Sequence, residues 1–248
     1  MTRKTTTKEK GSMTDKETLE MFLSCDMSTP EEVFTKFLTL PGARRCEHID
    51  YTCGVYVPGT RSDRVLLVAH ADTVFGLRGR HRMKFEDGKY SSLEPGEGIG
   101  ADDRAGCAIL WQLRDSGHSL LITNDEEIGS VGADTISVRK PNLYEELNNH
   151  SYILEFDRRH GRDYKVYDIP VTDEFKRFIE EGTGYEEADR RSSTDIRTLC
   201  GSICGANLSV GYYCEHTEAE FLILKEWQNT LDIARKLLEP PQKRFPLR

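Results

Sequence analysis

The sequence predicts an α/β fold, a three-layer α/β/α sandwich around a central, mostly parallel sheet. Three observations predict it. Short apolar strands alternate with amphipathic helices along the chain, as βα units do. The segment Arg64 to His70 is continuously apolar from Val65 to Ala69, the pattern of a strand covered on both faces. Finally, Glu218 to Leu238 carries apolar residues at Phe221, Leu224, Trp227, Leu231, Ala234 and Leu238, a helical stripe facing a core.

Taken in order, residues 1–12 are Thr- and Lys-rich without apolar periodicity and read as a disordered tail. A single catalytic domain over 13–240 and a C-terminal tail over 241–248 follow. Helices are expected over Asp15 to Cys25 and from Thr29 to Pro41-Gly42, the second with Pro30 in its first turn and Glu31 and Glu32 at its positive end. Strands are expected over Ile49 to Val57 and Arg64 to His70, then a hairpin turning at Asp87-Gly88. A helix over Asp103 to Asp115 closes at Gly117. Ser119 to Thr123 reads as a strand, Val131 to Ser137 as a helix and Ser151 to Phe156 as a strand. Thr172 to Glu181 reads as a helix, Asn207 to Tyr213 as the last strand and Glu218 to Leu238 as the last helix, ended by Pro240-Pro241.

Composition narrows the function. The 248 residues bury a core with ease, and 31% charged against 37% apolar is ordinary for a globular protein. A net charge of −8 argues against nucleic acid as a partner. No apolar run approaches the ~20 residues of a membrane span. The odd set of seven cysteines, with no secretory leader, points to a reducing cytoplasm. Cys200 and Cys204 have no second Cys/His pair nearby to complete a tetrahedral metal site, so they read as small apolar residues.

Four strings end apolar runs and carry the chemistry: His70-Ala71-Asp72-Thr73, Gly100-Ala101-Asp102-Asp103-Arg104, Asp125-Glu126-Glu127 and Glu155-Phe156-Asp157; a lone histidine follows in Glu215-His216-Thr217. In open α/β sheets, sites form where strands end at their carboxyl edge. His70 ends a buried strand, and Asp72 can accept a hydrogen bond from its other ring nitrogen. Asp102 suits either a carboxylate bridging two metals or a helix N-cap, with Asp103 available for the other role. Glu126 and Glu127, adjacent acids, repel unless cations neutralise them; one can ligate while the other takes a proton from water. Imidazole nitrogen and carboxylate oxygen are zinc's donors, so Asp157 and His216 complete a two-metal hydrolytic site. Zn, Co and Mn share such ligands.

These strings in this order resemble the co-catalytic zinc peptidase clan, the M20, M28 and M42 metallopeptidases. His70-Ala71-Asp72-Thr73-Val74 resembles the His-x-Asp-Thr-Val of the peptidase T and acetylornithine deacetylase branch. Gly100 to Gly106 resembles the bridging-aspartate motif, Asp125 to Ser130 the Glu-Glu motif, and Ser193-Thr194-Asp195, more loosely, a substrate-side Gly-Thr-Asp. The resemblance spans roughly residues 63 to 220. It implies two Zn2+ (or Co2+ or Mn2+) bridged by Asp102. One would add His70 and Asp157, the other Glu127 and His216. Glu126 would be the general base, Asp72 the partner of His70, and Ser193, Thr194 and Asp195 substrate contacts. It also implies a mixed central sheet.

The chain departs from M20 in one respect: only residues 158–215 separate Asp157 from His216, too few for the inserted lid and dimerisation domain. The oligomeric state therefore stays open. In addition, Ser192-Ser193 stand where glycines are common.

The expected activity is amide hydrolysis on a peptide, by an aminopeptidase or small-peptide exopeptidase. The near rival acts on acylated amino acids, whose carboxylate Arg158, Arg159, Arg190, Arg191 or Arg197 could bind. A non-catalytic peptide-binding relative and a two-metal phosphoesterase are weaker alternatives. The second lacks any phosphate-cradling Gly/Lys loop.

Overall fold

The structure is a computed structural model that describes residues 13–189 and 193–248; the expected tail over 1–12 lies outside the described residues. The chain begins with α1 (Asp15–Leu23), α2 (Glu31–Phe37), β1 (Arg44–His48), β2 (Tyr51–Val57), β3 (Leu66–His70) and the hairpin β4 (Met83–Glu86) and β5 (Lys89–Ser92). Next come α3 (Ala101–Gln112), β6 (Ser119–Thr123), α4 (Val131–Arg139), α5 (Pro141–Asn148), β7 (Ile153–Arg158) and β8 (Asp163–Lys165). The last third holds α6 (Asp173–Thr183), β9 (Glu186–Glu187), α7 (Ile196–Leu199), β10 (Gly205–Ser209), β11 (Tyr212–Tyr213), β12 (Phe221–Ile223) and α8 (Leu224–Leu238). None of the described helices is long and apolar enough to cross a membrane.

The main sheet has eight strands in the order β1-β2-β6-β3-β7-β10-β8-β9. Its centre, β6-β3-β7-β10, is parallel, while β1, β2 and β8 pair antiparallel on the flanks. This is the expected sandwich, with the mixed strand directions that the resemblance implied. Every residue of β3, β6 and β10 is buried, which for β3 explains the continuously apolar run that its sequence shows. Helix α3 packs against β3 and β7 and is flanked by α1, and Trp227 of α8 donates its indole N–H to Ala105 O at 2.9 Å. α1 begins in a capping box: Thr14 Oγ1 accepts from Glu17 N, and the Glu17 carboxylate returns to Thr14 N.

Four features differ from the expectations. β1 is unassigned in the sequence analysis, because its Arg-Arg-Cys-Glu-His sequence shows no alternation, yet it pairs with β2 as an edge strand. Helix α5 is also absent from the expectations: Pro141 sits in its first turn, and its apolar stripe of Leu143, Tyr144 and Leu147 covers only about one turn. The single strand Asn207 to Tyr213 is two strands in different sheets. Val210 and Gly211 donate to the carbonyls of Arg158 and His160, and the chain then leaves the main sheet. The start of the expected last helix is strand β12, which joins β11, β5 and β4 in a small four-stranded sheet.

The closing residues pack onto the body. Phe245 is 3% exposed among Tyr152, Phe175 and Phe178, and its backbone bonds Ser151 and Cys204.

Two buried histidines brace the edge of the sheet remote from the strand ends. His118 accepts from Val65 N and donates to Leu238 O, both at 3.0 Å. His150 donates to Leu147 O at 2.9 Å and accepts from Ser119 Oγ at 2.7 Å. Both rings are therefore neutral. Burial pushes the His150 pKa down to about 4, and that of His118 down as well. Below the unfolded value near 6.5 the unfolded chain binds the extra proton, so stability falls from about pH 6.5 to about pH 4 and then levels off. That gap corresponds to about 3 kcal/mol for His150. Denaturant unfolding should therefore show the advantage of wild type over His150→Asn narrowing by about 3 kcal/mol between about pH 7 and pH 4. A gap constant with pH would mean that the His150 ring does not take the proton.

Candidate metal centre

The carboxyl edge of β6, β3 and β7 places three of the donors, and two loops supply the rest. His70 is the last residue of β3, in register with Thr123, the last of β6. Its backbone N–H donates to Asp103 Oδ2 at 3.2 Å, and Asp103 Oδ1 accepts from Gly106 N at 3.0 Å. Asp103 is thus the side-chain cap of α3, leaving Asp102 with non-helical backbone just ahead of it. The capping role expected of one of this pair thus falls to Asp103, and Asp102 is left free to face the cleft.

His70 Nε2 lies 3.2 Å from Asp102 Oδ1 and 3.4 Å from Asp157 Oδ1. The other oxygen of Asp102 lies 3.1 Å from His216 Nε2, which lies 2.9 Å from Glu127 Oε2. Two donor groups result, His70–Asp102–Asp157 and Asp102–Glu127–His216, each with its donor atoms within 4.8 Å of one another. Asp102 belongs to both through different oxygens. All five sequence-derived ligand candidates are therefore brought together.

Three of the five, His70, Glu127 and Asp157, are held from behind. Asp72 Oδ1 stands 3.3 Å from His70 Nδ1, and its two oxygens accept from Glu126 N at 3.2 Å and Glu127 N at 3.1 Å. This one carboxylate therefore sets both the His70 ring and the Glu126-Glu127 turn. Asp157 takes hydrogen bonds from Thr194 Oγ1 at 2.8 Å and Tyr212 OH at 3.1 Å. Asn207 clamps its backbone, accepting from Asp157 N and donating to Asp157 O, both at 2.9 Å. Tyr212 and Asn207 were not singled out from the sequence. Neither residue type signals such a role; the neighbouring strand β10 brings Asn207 to Asp157, and β11 of the small sheet brings Tyr212.

His216 arrives differently from the others. It occupies the loop joining β11 to β12 in the small sheet, rather than the end of a main-sheet strand, and its side chain is half exposed. His70, Glu127 and Asp157 thus follow main-sheet strands, whereas Asp102 lies at the entry to α3 and His216 comes after the chain has changed sheets.

The three substrate-side candidates part ways. Thr194 and Asp195 are 1% and 0% exposed; Thr194 holds Asp157 and Asp195 accepts from Thr123 Oγ1. Ser193 lines the cleft together with Glu126, Asp102, Asp157 and His216. Of the arginines, Arg158 and Arg159 also line it, Arg158 paired with Asp163 and Arg159 with Glu215. Arg197 is tied to Asp168 at 2.7 Å, and Arg190 and Arg191, like Ser192, lie outside the described residues. Cys200 and Cys204 are buried free thiols, whose pKa values burial pushes up.

The electrostatics are those of a site needing positive charge. Burial, with Asp102 beside it, pushes Asp157 up to about 7; burial and then Asp157 push Glu126 up to about 9. Glu127 is raised by burial too. Burial opposes a charged His70, but Asp157, Asp102 and Asp72 outweigh it and raise its pKa well above the ordinary value. Asp102 and Glu127 raise His216 to about 11. A further acid, Glu155, sits two residues before Asp157, and burial raises its pKa well above the usual. The residues fit divalent cations on direct observation. The donors are imidazole and carboxylate, and Glu127 Oε1 is buried without a hydrogen-bond partner.

No protein-family model and no curated protein matches the chain. Solved structures do resemble it. Aminopeptidase PepT from Bacillus cereus aligns with a TM-score of 0.70 at 14% identity, over 92% of this chain and 99% of that one. A tripeptidase from Staphylococcus aureus gives 0.67 at 13%, over 92% and 99%. The Pyrococcus horikoshii TET1 peptidase, described as assembling into a tetrahedron or a large octahedral shell, gives 0.62 at 12%, over 91% and 99%. At such identities the likeness is one of fold.

Gly106 tests the framework. A Cβ there would fall 2.5 Å from Asp103 Oδ2 and collide with Phe156 O, so α3 lies against β7 with no room for a side chain. Gly106→Ala should cost about 1–3 kcal/mol in denaturant unfolding, the usual penalty of overpacking. An unchanged midpoint would mean that α3 can shift freely, and that the Asp102–Asp103 geometry is not fixed by this contact.

Proposed function

We propose that the protein is a metal-dependent hydrolase of peptide bonds, acting as an aminopeptidase or small-peptide exopeptidase with two zinc-type ions. One observation carries this reading. Two donor groups share Asp102, and a carboxylate outside both groups, Glu126, lines the same cleft. The aminopeptidase, tripeptidase and TET neighbours support it, and they draw the reading within the clan towards M42 rather than M20 or M28.

His70, Asp102 and Asp157 would hold one ion, and Asp102, Glu127 and His216 the other. Bound there, the ions would supply Lewis acidity towards the scissile carbonyl and lower the pKa of the attacking water. Glu126 is the general base: its carboxylate takes a proton from that water and passes it to the leaving amine. Asp72 keeps the His70 ring oriented through Nδ1 and holds the backbone of Glu126 in place, so base and ligand share one support. Ser193, which lines the cleft, is the substrate contact we retain of the three. The acidic cleft wall, Glu215 included, suits a substrate's free amino terminus.

Arg159 favours a second reading. A guanidinium lining the cleft suits a substrate carboxylate, and the same machinery would then cleave N-acyl amino acids.

Elemental analysis should find about two ions per chain, with His216→Ala reducing the content to about one and Asp102→Asn removing both. Retention of both ions by Asp102→Asn would refute the shared ligand. Glu126→Gln should keep its metal and lose turnover by about 100-fold or more, within the range for a general base. Near-full turnover would remove Glu126 from the mechanism. Peptides with free and with blocked amino ends, assayed side by side, choose between peptidase and acylase.

A further inference from the structure

The loop that brings His216 to the site carries a second acid, which the chemistry above leaves without a role. Glu220 is 0% exposed and lies at the end of the β11–β12 loop, where its N–H donates to Thr217 O at 3.0 Å. Its carboxylate leaves the small sheet altogether. One oxygen accepts from Gly100 N at 2.7 Å and the other from Asp102 N at 3.1 Å. The first backbone donors of a helix have no partner within the helix. In the turn leading into α3, the backbone donors of Gly100 and Asp102 are likewise satisfied by a side chain, from the β11–β12 loop, at the one residue shared by both donor groups.

Two more observations show that the His216 loop and the Asp102 turn are tightly joined. A Cβ on Gly98 would lie 2.7 Å from Thr217 O, so nothing separates the two stretches of chain. Thr217 also braces its own loop, donating to Cys214 O at 2.7 Å and accepting from Ala219 N at 3.3 Å. Glu220 is thus the polar link between a rigid loop bearing His216 and the backbone of Asp102, whose side chain faces His216 Nε2 at 3.1 Å.

We infer that Glu220 is a positioning residue of the metal centre, fixing the separation of Asp102 from His216 by holding the Asp102 backbone to the His216 loop. This rests on the reading of Asp102, Glu127 and His216 as a cation site. Metal affinity is sensitive to ligand displacements of a few tenths of an ångström, and partners one bond behind the ligands typically contribute 10–100-fold. Carboxylate chemistry is required because two N–H groups must both be accepted. Glutamine would offer one oxygen and turn an NH2 towards the second N–H, while aspartate is one methylene too short to span the gap.

The full chain, stripped with a chelator, is titrated with Zn2+ in competition with a chromophoric chelator and with Co2+ followed by its visible absorption. Thermal unfolding is recorded alongside. Glu220→Gln should stay folded, bind Zn2+ about 10–100-fold more weakly and give an altered Co2+ spectrum. Glu180→Gln serves as the control. That residue accepts from Tyr164 OH at 2.8 Å, away from the centre, a bond that glutamine can still accept, so affinity and spectrum should stay as in wild type. Wild-type affinity and spectrum in folded Glu220→Gln would overturn the inference. If that variant does not fold, Glu220→Asp is measured in the same way. Failure of both to fold would assign Glu220 a structural role and overturn the inference equally. Absence of Zn2+ or Co2+ binding by the wild-type chain would refute the cation-site reading itself, a result distinct from any difference between variants.

Discussion

Asp102 stands between two imidazoles, one oxygen towards His70 and the other towards His216, and the surrounding structure is arranged to keep it there. Bringing Asp102, Asp157, Glu126 and Glu127 within reach of one another in a largely buried cleft is unfavourable, because like charges repel strongly where water is excluded. The chain offsets this locally. Backbone N–H groups face Asp72, hydroxyls of Thr194 and Tyr212 face Asp157, and both histidines are drawn towards the charged form. Burial nevertheless leaves Asp157, Glu126 and Glu127 with raised pKa values. A cluster balanced in this way has a standing demand for positive charge, which divalent cations would meet.

The two sheets divide the work. The parallel centre of the main sheet fixes His70, Asp157 and the Glu126-Glu127 turn through strand register, since adjacent strands ending at one level present their last side chains to one cleft. The small antiparallel sheet delivers His216 on a hairpin loop. Asp102 belongs to neither sheet. It lies at the entry to α3, pinned by the helix that Asp103 caps and by the Glu220 carboxylate. The site is assembled where three independently packed pieces meet, and its geometry depends on contacts between pieces more than on any one of them.

Much of this was legible in the chain. His70-Ala71-Asp72, Asp102-Asp103, Glu126-Glu127 and Asp157 announced themselves because polar residues abruptly end apolar runs, and that pattern survives without tertiary information. The alternation of strand and helix gave the layered fold for the same reason. Other features were hidden. β1 offers no alternation, and α5 only about one turn of apolar residues, Leu143, Tyr144 and Leu147, so pattern reading has little to detect. Tyr212 and Asn207 read as strand residues; the Asn207 bonds to Asp157 exist because β7 and β10 are neighbours, and the Tyr212 bond because β11 of the small sheet follows close behind β10.

By itself, then, the sequence determined which residue types are available at the sheet's edge and that they suit a metal-assisted hydrolysis. It could do so because burial patterns and donor chemistry are local properties. The tertiary structure alone decided that Asp102 divides its two oxygens between separate groups, that Thr194 and Asp195 are buried behind the cleft, and that His216 comes from a second sheet. Those facts depend on distances between segments far apart in the chain, and such distances are set by packing.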